Sequence, residues 1–471
     1  MKMLIAGHWI DRPQKIEILY PYDETVVDTV PMATEEDIES ALSAAVEGAK
    51  LMKKLPAWKR SEILQRTSEI LTQRKEEMTK ILVKEVGKTF KEAAAEVIRT
   101  AEIFKYTAEE AKRIHGETLS FDSSKGSQEK IGYFIREPAG VVLAIVPFNV
   151  PLALCAHKVA PAIAAGNAVI VKPASKTPLN TLLLGEILLD AGMPPEALSI
   201  ITGSGNQVGL KLVEDKRVRV VSFTGSVPVG ELITKAAGIK KLCLELGSNS
   251  PMIVCKSADL FRAAKATISG GFSIAGQVCI SVQRVYVQRD IYQEFIDILL
   301  DEVKKMNVGD PELETTHMGP VIDRPNANRI IEWIDEAIKA GGKILIGGGR
   351  EKNLIEPTIL AQVPKNTKIM TDELFGPAVA VNSFETFDQA IEEANSTRYG
   401  LQAGVFTKDI QEALRAIKEL DFGGVMINEG PRFRADLMPY GGYKDSGIGR
   451  EGIRFAIEEM TEIKTVAFDF S

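Results

Sequence analysis

The chain has 471 residues, 45% hydrophobic and 26% charged, with a formal net charge of -7. That length supports two or three domains with substantial apolar interiors, and that composition leaves little room for long disordered tracts or a fibrous form. With no basic surplus and no dense Lys/Arg block, nucleic-acid binding is excluded as a main activity.

The N-terminus, MKMLIAGHWIDRPQK, turns polar too early for a secretory signal. Residues 34 to 115 carry apolar residues three and four apart among Glu, Lys and Ala, which predicts amphipathic helices. Residues 117 to 137 are polar and turn-rich and suit a protruding hairpin. The longest uncharged run, residues 139 to 156, contains Pro147, Asn149 and Pro151. These breakers make it a buried strand, a sharp turn and a helix start instead of a membrane span. From there VVLAIV, AVIVKP, LSIITG and VRVVSFTG alternate with helical stretches, the pattern of a parallel sheet with crossover helices and a platform for a nucleotide. A second alternation starts near residue 244 with CLELG and SPMIVC, continues through a helix from Asp259 to Ala275 and the strand RVYVQ, and ends near GVMIN. The tail EIKTVAFDFS reads as a closing strand. The fold class is therefore α/β, two tandem open parallel-sheet units with a cleft between them and a small β flap.

Several residues on this frame have the right chemistry for a site. IITGSGNQVG follows a strand with three glycines, but its spacing is GxGxxxG and no acidic residue closes the next strand, so packing remains the alternative to phosphate binding. FTGSVPVG is better placed, because it opens a helix whose free N–H groups hold anions, although it lacks a Walker ending. In VKPASKTP, Lys172 and Lys176 stand at a strand's C-terminal end, where a ribose or phosphate lies; a solvated lysine is the alternative. Four cysteines, Cys155, Cys243, Cys255 and Cys279, form no CxxC pair and point to a reducing compartment, so a cytoplasmic location is expected. Four scattered histidines offer no metal-ligand spacing, and no metal is expected. Cys279, after the helix and a C-cap at Gly276, is either an inert buried thiol or a nucleophile. The second role needs a base, an oxyanion donor and an electron acceptor, for which Glu245, Asn149 and a dinucleotide are the candidates.

The motifs PFNVP, KPAS, FTGS with Gly230 five residues beyond Gly225, ELGSNSP, GQVC, DELFGP and PYGGYKDSGIGRE occur in this order, and together they resemble the aldehyde dehydrogenase family over almost the whole chain. The resemblance implies a dinucleotide-binding domain over 1–116 and 138–243, a catalytic domain over 244–445, and an oligomerisation flap from 117–137 and 446–471 in a homodimer or homotetramer. It implies that Cys279 is the nucleophile, Glu245 the general base, and Asn149 with the Cys279 N–H the oxyanion hole. Lys172 and Glu373 would hold ribose hydroxyls, Gly225, Ser226 and Gly230 the pyrophosphate turn, and Phe375 the nicotinamide side. A small aldehyde would be oxidised to its acid through a cysteine thiohemiacetal and a water-hydrolysed thioester.

Departures from the family pattern refine this expectation. Phe148 stands where many members have Trp, and Ser248 where a second Gly is common. Ser175 replaces an acidic residue used against the adenosine ribose; with Lys172 and Lys176 nearby, NADP is expected, with NAD also used. The nearest branch by motif contains lactaldehyde, non-phosphorylating glyceraldehyde-3-phosphate and succinate-semialdehyde dehydrogenases. Val278, where phosphate-binding members carry Arg, disfavours a phosphorylated substrate and favours lactaldehyde. Arg432 and Arg434 either meet an anionic group or are solvated, and Arg284 is expected to be structural. A thioester passed to coenzyme A and a non-catalytic dinucleotide-binding protein are the remoter alternatives.

Overall fold

Short strands at the N-terminus, which the sequence pattern did not announce, begin the chain in the computed structural model, which describes residues 1–470. Met3–Ile5 and His8–Ile10 form a hairpin through Ala6 and Gly7, both at positive φ, and Met3–Ile5 pairs with Leu198–Ile200. Four helices follow, Glu35–Lys54, Ala57–Gln73, Lys75–Val86 and Phe90–Glu110. Thr34 and Thr89 open the first and last of these with reciprocal capping boxes to Asp37 and Glu92.

The central strands of an eight-stranded sheet are Leu198–Ile200, Ala168–Lys172, Val141–Ile145, Val218–Thr224 and Lys241–Glu245, neighbours in that order and mutually parallel. Their near-continuous apolar runs are buried because helices cover both faces. The helix Pro151–Ala165, entirely buried, lies between this sheet and the helices Ala57–Gln73, Phe90–Glu110 and Ile453–Glu459. Pro151 starts it at a position where no N–H is needed.

A seven-stranded sheet with its own apolar core carries Ser250–Val254 and Val282–Gln288 at its centre. All its pairings are parallel except that of the edge strand Lys343–Ile346. Arg284, on the strand Val282–Gln288, is buried and donates to the carbonyls of Asn249, Glu393 and Ala394, which gives it the structural role expected.

The third sheet is antiparallel: Thr461–Asp469 runs along Lys130–Pro138 in nine-residue register, with Glu117–Leu119 on the far side. The tail enters this sheet later than expected at 446. Gly447–Ile448 pairs with Leu244–Glu245 at the edge of the eight-stranded sheet, and Ile453–Glu459 is helical. Ser446 explains the difference, because its buried hydroxyl accepts from Gly400 N–H and donates to the Gly247 carbonyl, anchoring the tail beside the Glu245 strand. Among the described residues, no helix is long and apolar enough to cross a membrane.

Candidate active site

Asn149, Lys172 and Glu245 stand at or just beyond the carboxyl ends of the parallel strands Val141–Ile145, Ala168–Lys172 and Lys241–Glu245, where open α/β sheets bind ligands. Cys279 reaches them from the other sheet. The helix Leu260–Phe272, begun by an Asp259 cap, stops three residues before the expected Ala275. It stops because Ile274 and Ala275 adopt left-handed φ of 51° and the Ile274 N–H is taken by Glu92 Oε1 at 2.8 Å. Such φ values are costly for a β-branched residue and persist where packing over-determines them. Gly276 (φ 70°) is a link in this turn and not the helix cap; a Cβ there would lie 2.1 Å from the Gly376 carbonyl oxygen. Gln277 then accepts from Ile322 N–H through Oε1 (2.9 Å) and offers its carbonyl to Asn149 Nδ2 (2.7 Å). The loop that carries the thiol is thus tied to the turn after Val141–Ile145 and to the segment just before the helix Arg324–Lys339.

One cavity, about 680 Å³, runs along the strand ends and is lined by Asn149, Lys172, Ser175, Gly225, Ser226, Glu373, Phe375 and Cys279, all singled out from the sequence. Lys172 donates only to the Pro173 carbonyl, and burial lowers its ammonium to about 8. Glu373 accepts from the Ser248 N–H at 3.0 Å, and burial raises its carboxyl to about 7. Phe375 meets Phe148 edge-on at 5.8 Å, so the Phe148 departure keeps an aromatic contact. The helix Val227–Ala237 starts at Ser226, whose side chain forms no cap, leaving first-turn N–H groups turned to the cavity. Gly205, Asn206 and Gly209 of GSGNQVG also form its wall, as do Arg329 and Trp333, which the sequence reading missed.

Two expected ligand residues lie elsewhere. Gly230 is off the cavity: a Cβ would come within 2.7 Å of Leu246, so its missing side chain serves helix packing. Lys176 is ion-paired to Asp323 and is absent from the cavity wall.

A second cavity of about 1030 Å³ opens on the other side of Cys279 and shares Asn149, Leu154 and Cys279 with the first. Lys91, Arg99, Arg432, Arg434 and Tyr440 are on its wall. The solvated alternative for Arg434 is wrong, because its side chain is 7% exposed, pairs with Glu451 at 3.0 Å and lies 3.7 Å over the Tyr440 ring. Arg432 is exposed and, among the described residues, makes no hydrogen bond or contact ion pair, though the Glu92 carboxylate on the same wall acts on it. Asp436, in the same loop, binds Arg99 (2.6 Å) and His157 Nε2 (2.9 Å). Burial pushes the His157 imidazole down to about 4, so it serves as a neutral anchor.

The deepest charges were not anticipated. Lys158 Nζ, from the apolar helix Pro151–Ala165, binds Glu451 at 2.8 Å and Thr224 Oγ1 at 2.7 Å. Burial alone would raise Glu451, but Lys158 and Arg434 hold it well below the ordinary carboxylate range. Glu245 has the opposite environment: it is buried, its Oε2 has no partner, and burial with the nearby Glu451 charge pushes its carboxyl well above the ordinary value. Cys279 is likewise raised by burial, to about 12, and its Sγ lies 3.1 Å from the Tyr440 hydroxyl. Its backbone N–H has no acceptor among the described residues and the Asn149 amide has one committed bond, so both can donate to an oxygen beside the thiol.

A thiol flanked by an amide donor and a buried carboxylate stands where the two sheet-bearing halves meet, and comparison with known proteins gives the class of enzyme. The aldehyde dehydrogenase family profile matches residues 9–466, and the chain belongs to that family. It is 43% identical to a 3-sulfolactaldehyde dehydrogenase of Priestia aryabhattai over 99% of this chain and 98% of that one. Aldehyde dehydrogenase 21 of Physcomitrella patens, solved with the reaction product succinate, superposes with a TM-score of 0.97 at 40% identity over 99% and 98% of the two chains. The glyceraldehyde-3-phosphate dehydrogenase GapN of Methanocaldococcus jannaschii, complexed with NADP, gives 0.94 at 41% over 98% and 100%.

Proposed function

We infer that the chain oxidises a short aldehyde, lactaldehyde-like or a semialdehyde, to its carboxylic acid with NADP, NAD also serving. The observation that carries this reading is the position of Cys279, a thiol shared by the walls of two cavities, one framed by strand ends and a helix start, the other cationic. In this reading 1–116 and 138–243 bind the dinucleotide, the chain from 244 to about 445 supplies the chemistry, and the antiparallel sheet is an oligomerisation flap.

The first cavity fits a dinucleotide. In this reading Lys172 and Glu373 take ribose hydroxyls, the helix start at Ser226 the pyrophosphate, and Phe375 the nicotinamide face, supported by their sharing one cavity wall. Ser175 puts no negative charge against a 2′-phosphate, and its hydroxyl is held by the Gly203 carbonyl at 2.9 Å. Lys176 is committed to Asp323, which leaves Ser175 and Lys172 as the basis for accepting NADP.

The Cys279 thiolate attacks the carbonyl carbon, and the oxyanion is held by Asn149 Nδ2 and the Cys279 N–H, donors worth about 10² to 10³ in rate each. When bound, the nicotinamide supplies the hydride acceptor. Glu245 then takes a proton from water as that water adds to the thioester, and the acid leaves. Glu245 in this role disfavours transfer to coenzyme A.

Arg432 favours an anionic tail on the aldehyde, since it lines the second cavity with no ion pair in contact, the Glu92 carboxylate acting on it only across that cavity. The 3-sulfolactaldehyde and succinate chemistry of the relatives supports the same preference. Val278 leaves the position before the thiol without a cation, which argues against a phosphate. Exposed Ile131, Tyr133, Ile135, Ile463 and Phe468 on the flap support a homodimer or homotetramer. Four free cysteines support a cytoplasmic location.

Lactaldehyde, 3-sulfolactaldehyde, succinate semialdehyde and glyceraldehyde 3-phosphate, each assayed with NADP and NAD by absorbance of the reduced nicotinamide, test the reading. Short non-phosphorylated aldehydes with NADP are expected to give the highest kcat/KM. Absence of reduced nicotinamide with every aldehyde would reject it.

A further inference from the structure

Tyr440 contacts the reactive sulfur and has no other evident use. Its hydroxyl is 3.1 Å from Cys279 Sγ and has no second partner among the described residues. The residue is 3% exposed, and its N–H and C=O are both bonded to Glu451, at 2.9 and 2.7 Å. The Arg434 guanidinium, 3.7 Å from the ring centroid and fixed by Glu451, lies against the π face. A cation there draws electron density from the phenol and makes its O–H a stronger donor. A thiolate at the half-buried Cys279 is disfavoured by what burial there is, which raises the thiol, and Tyr440 is its one hydrogen-bonding neighbour among the described residues. Burial also holds the phenol well above its ordinary value, so the tyrosine keeps its proton when the thiol has lost its own.

We propose that Tyr440 is a catalytic residue whose hydroxyl donates a hydrogen bond to the Cys279 sulfur whenever that sulfur carries negative charge, as the attacking thiolate and again as the group leaving the thioester. The proposal rests on Cys279 being the nucleophile. In the first step the S–H proton passes to water, the sulfur pair forms the S–C bond, and the carbonyl π pair moves to oxygen. In the last, the water oxygen bonds to the acyl carbon, Glu245 takes the water proton, and the C–S pair returns to sulfur. Tyr440 keeps its proton throughout.

The test is the pH dependence of Cys279 alkylation by iodoacetamide, without aldehyde or cofactor, followed by the mass of the peptide that contains residue 279. A hydrogen bond to a charged partner is worth at least about tenfold. Tyr440→Phe is therefore expected to raise the apparent thiol pKa by about one unit or more and to slow alkylation near neutral pH roughly tenfold. Replacing Tyr440 by 3-fluorotyrosine, a stronger donor of similar shape, is expected to lower that pKa and serves if the phenylalanine variant does not fold. With aldehyde and NADP, both the burst and the steady rate of Tyr440→Phe should fall. Superimposable alkylation curves for wild type and a folded variant overturn the proposal and leave the nucleophile assignment standing. Alkylation of the wild type elsewhere, with the dehydrogenase rate intact, overturns the assignment itself.

Discussion

Glu96→Ala tests how far the site depends on groups that never meet a ligand's reacting atoms. Glu96, 3% exposed, is ion-paired with Lys88, 1% exposed, and its Oε1 accepts from the N–H groups of Leu152 and Ala153 at 3.0 and 3.1 Å. Those donors open the helix that begins two residues after Asn149. Removing the carboxylate strands a buried ammonium, which costs about 3–5 kcal/mol. Unfolding entropy is about 2.1 cal/mol/K per residue, so a unit of roughly 240 residues built on the eight-stranded sheet changes by about 0.5 kcal/mol per degree. The expected fall in Tm is therefore roughly 6–10 °C in a thermal scan. The freed helix start also loosens Asn149, so kcat should drop by as much as the loss of one oxyanion donor, about 10². Glu96→Gln retains an acceptor for the helix and should keep more kcat than it keeps stability. A Glu96→Ala protein with unchanged Tm and kcat would show that the buried pair neither stabilises the fold nor sets the amide.

Glu245→Gln should give a burst of about one reduced nicotinamide per site and then slow turnover, seen by stopped-flow absorbance. Because burial and Glu451 raise the Glu245 carboxyl, wild-type steady turnover should rise with pH through that elevated value, and the Gln variant should lose this limb. Stability carries the opposite sign: a raised folded value contributes below the unfolded carboxylate range and is lost as pH climbs through the folded one. Ser175→Glu brings a carboxylate into the first cavity beside Lys172 and should move kcat/KM from NADP towards NAD by about tenfold or more, read from paired cofactor titrations. Arg432→Leu should raise KM about tenfold for 3-sulfolactaldehyde or succinate semialdehyde while leaving lactaldehyde nearly unchanged; equal effects on all three would remove Arg432 from substrate recognition.

Much of the frame was legible because buried parallel strands write themselves as uninterrupted apolar runs. Val141–Ile145, Ala168–Lys172 and Val218–Thr224 fall within the stretches read as strands. Ordered motifs brought Asn149, Lys172, Ser226, Glu373, Phe375 and Cys279 to one cavity wall. The hidden part is relational. Lys158 and Glu451 are 293 residues apart, and neither hints at the other; a lysine inside the apolar run ALCAHKVAPAIAAG was the available signal. The packing of Gly230 against Leu246 and the pairing of Lys176 with Asp323 were hidden for a related reason, since neither partner is local in sequence. The early end of the helix at Phe272 depends on Glu92, 182 residues before the Ile274 whose N–H it takes.

The pairing of Lys158 and Arg434 with the same carboxylate has a consequence for the order of events. Both cations bond to Glu451, which stays ionised, whereas Glu245 feels them and Arg450 only without contact, and its Oε2 has no partner among the described residues. Two carboxylates in one buried site are thereby pushed apart in acidity, one a fixed charge and the other a group that holds its proton more tightly. A neutral Glu245 does not repel the thiolate or the oxyanion while the sulfur is bonding to carbon. In the proposed reaction an ionised Glu245 is required only afterwards, when water must be activated. On the roles proposed for Cys279 and Glu245, this distribution of buried cations separates attack from hydrolysis, and a site in which Lys158 paired with Glu245 instead would hold that carboxylate ionised from the start and oppose thiolate formation.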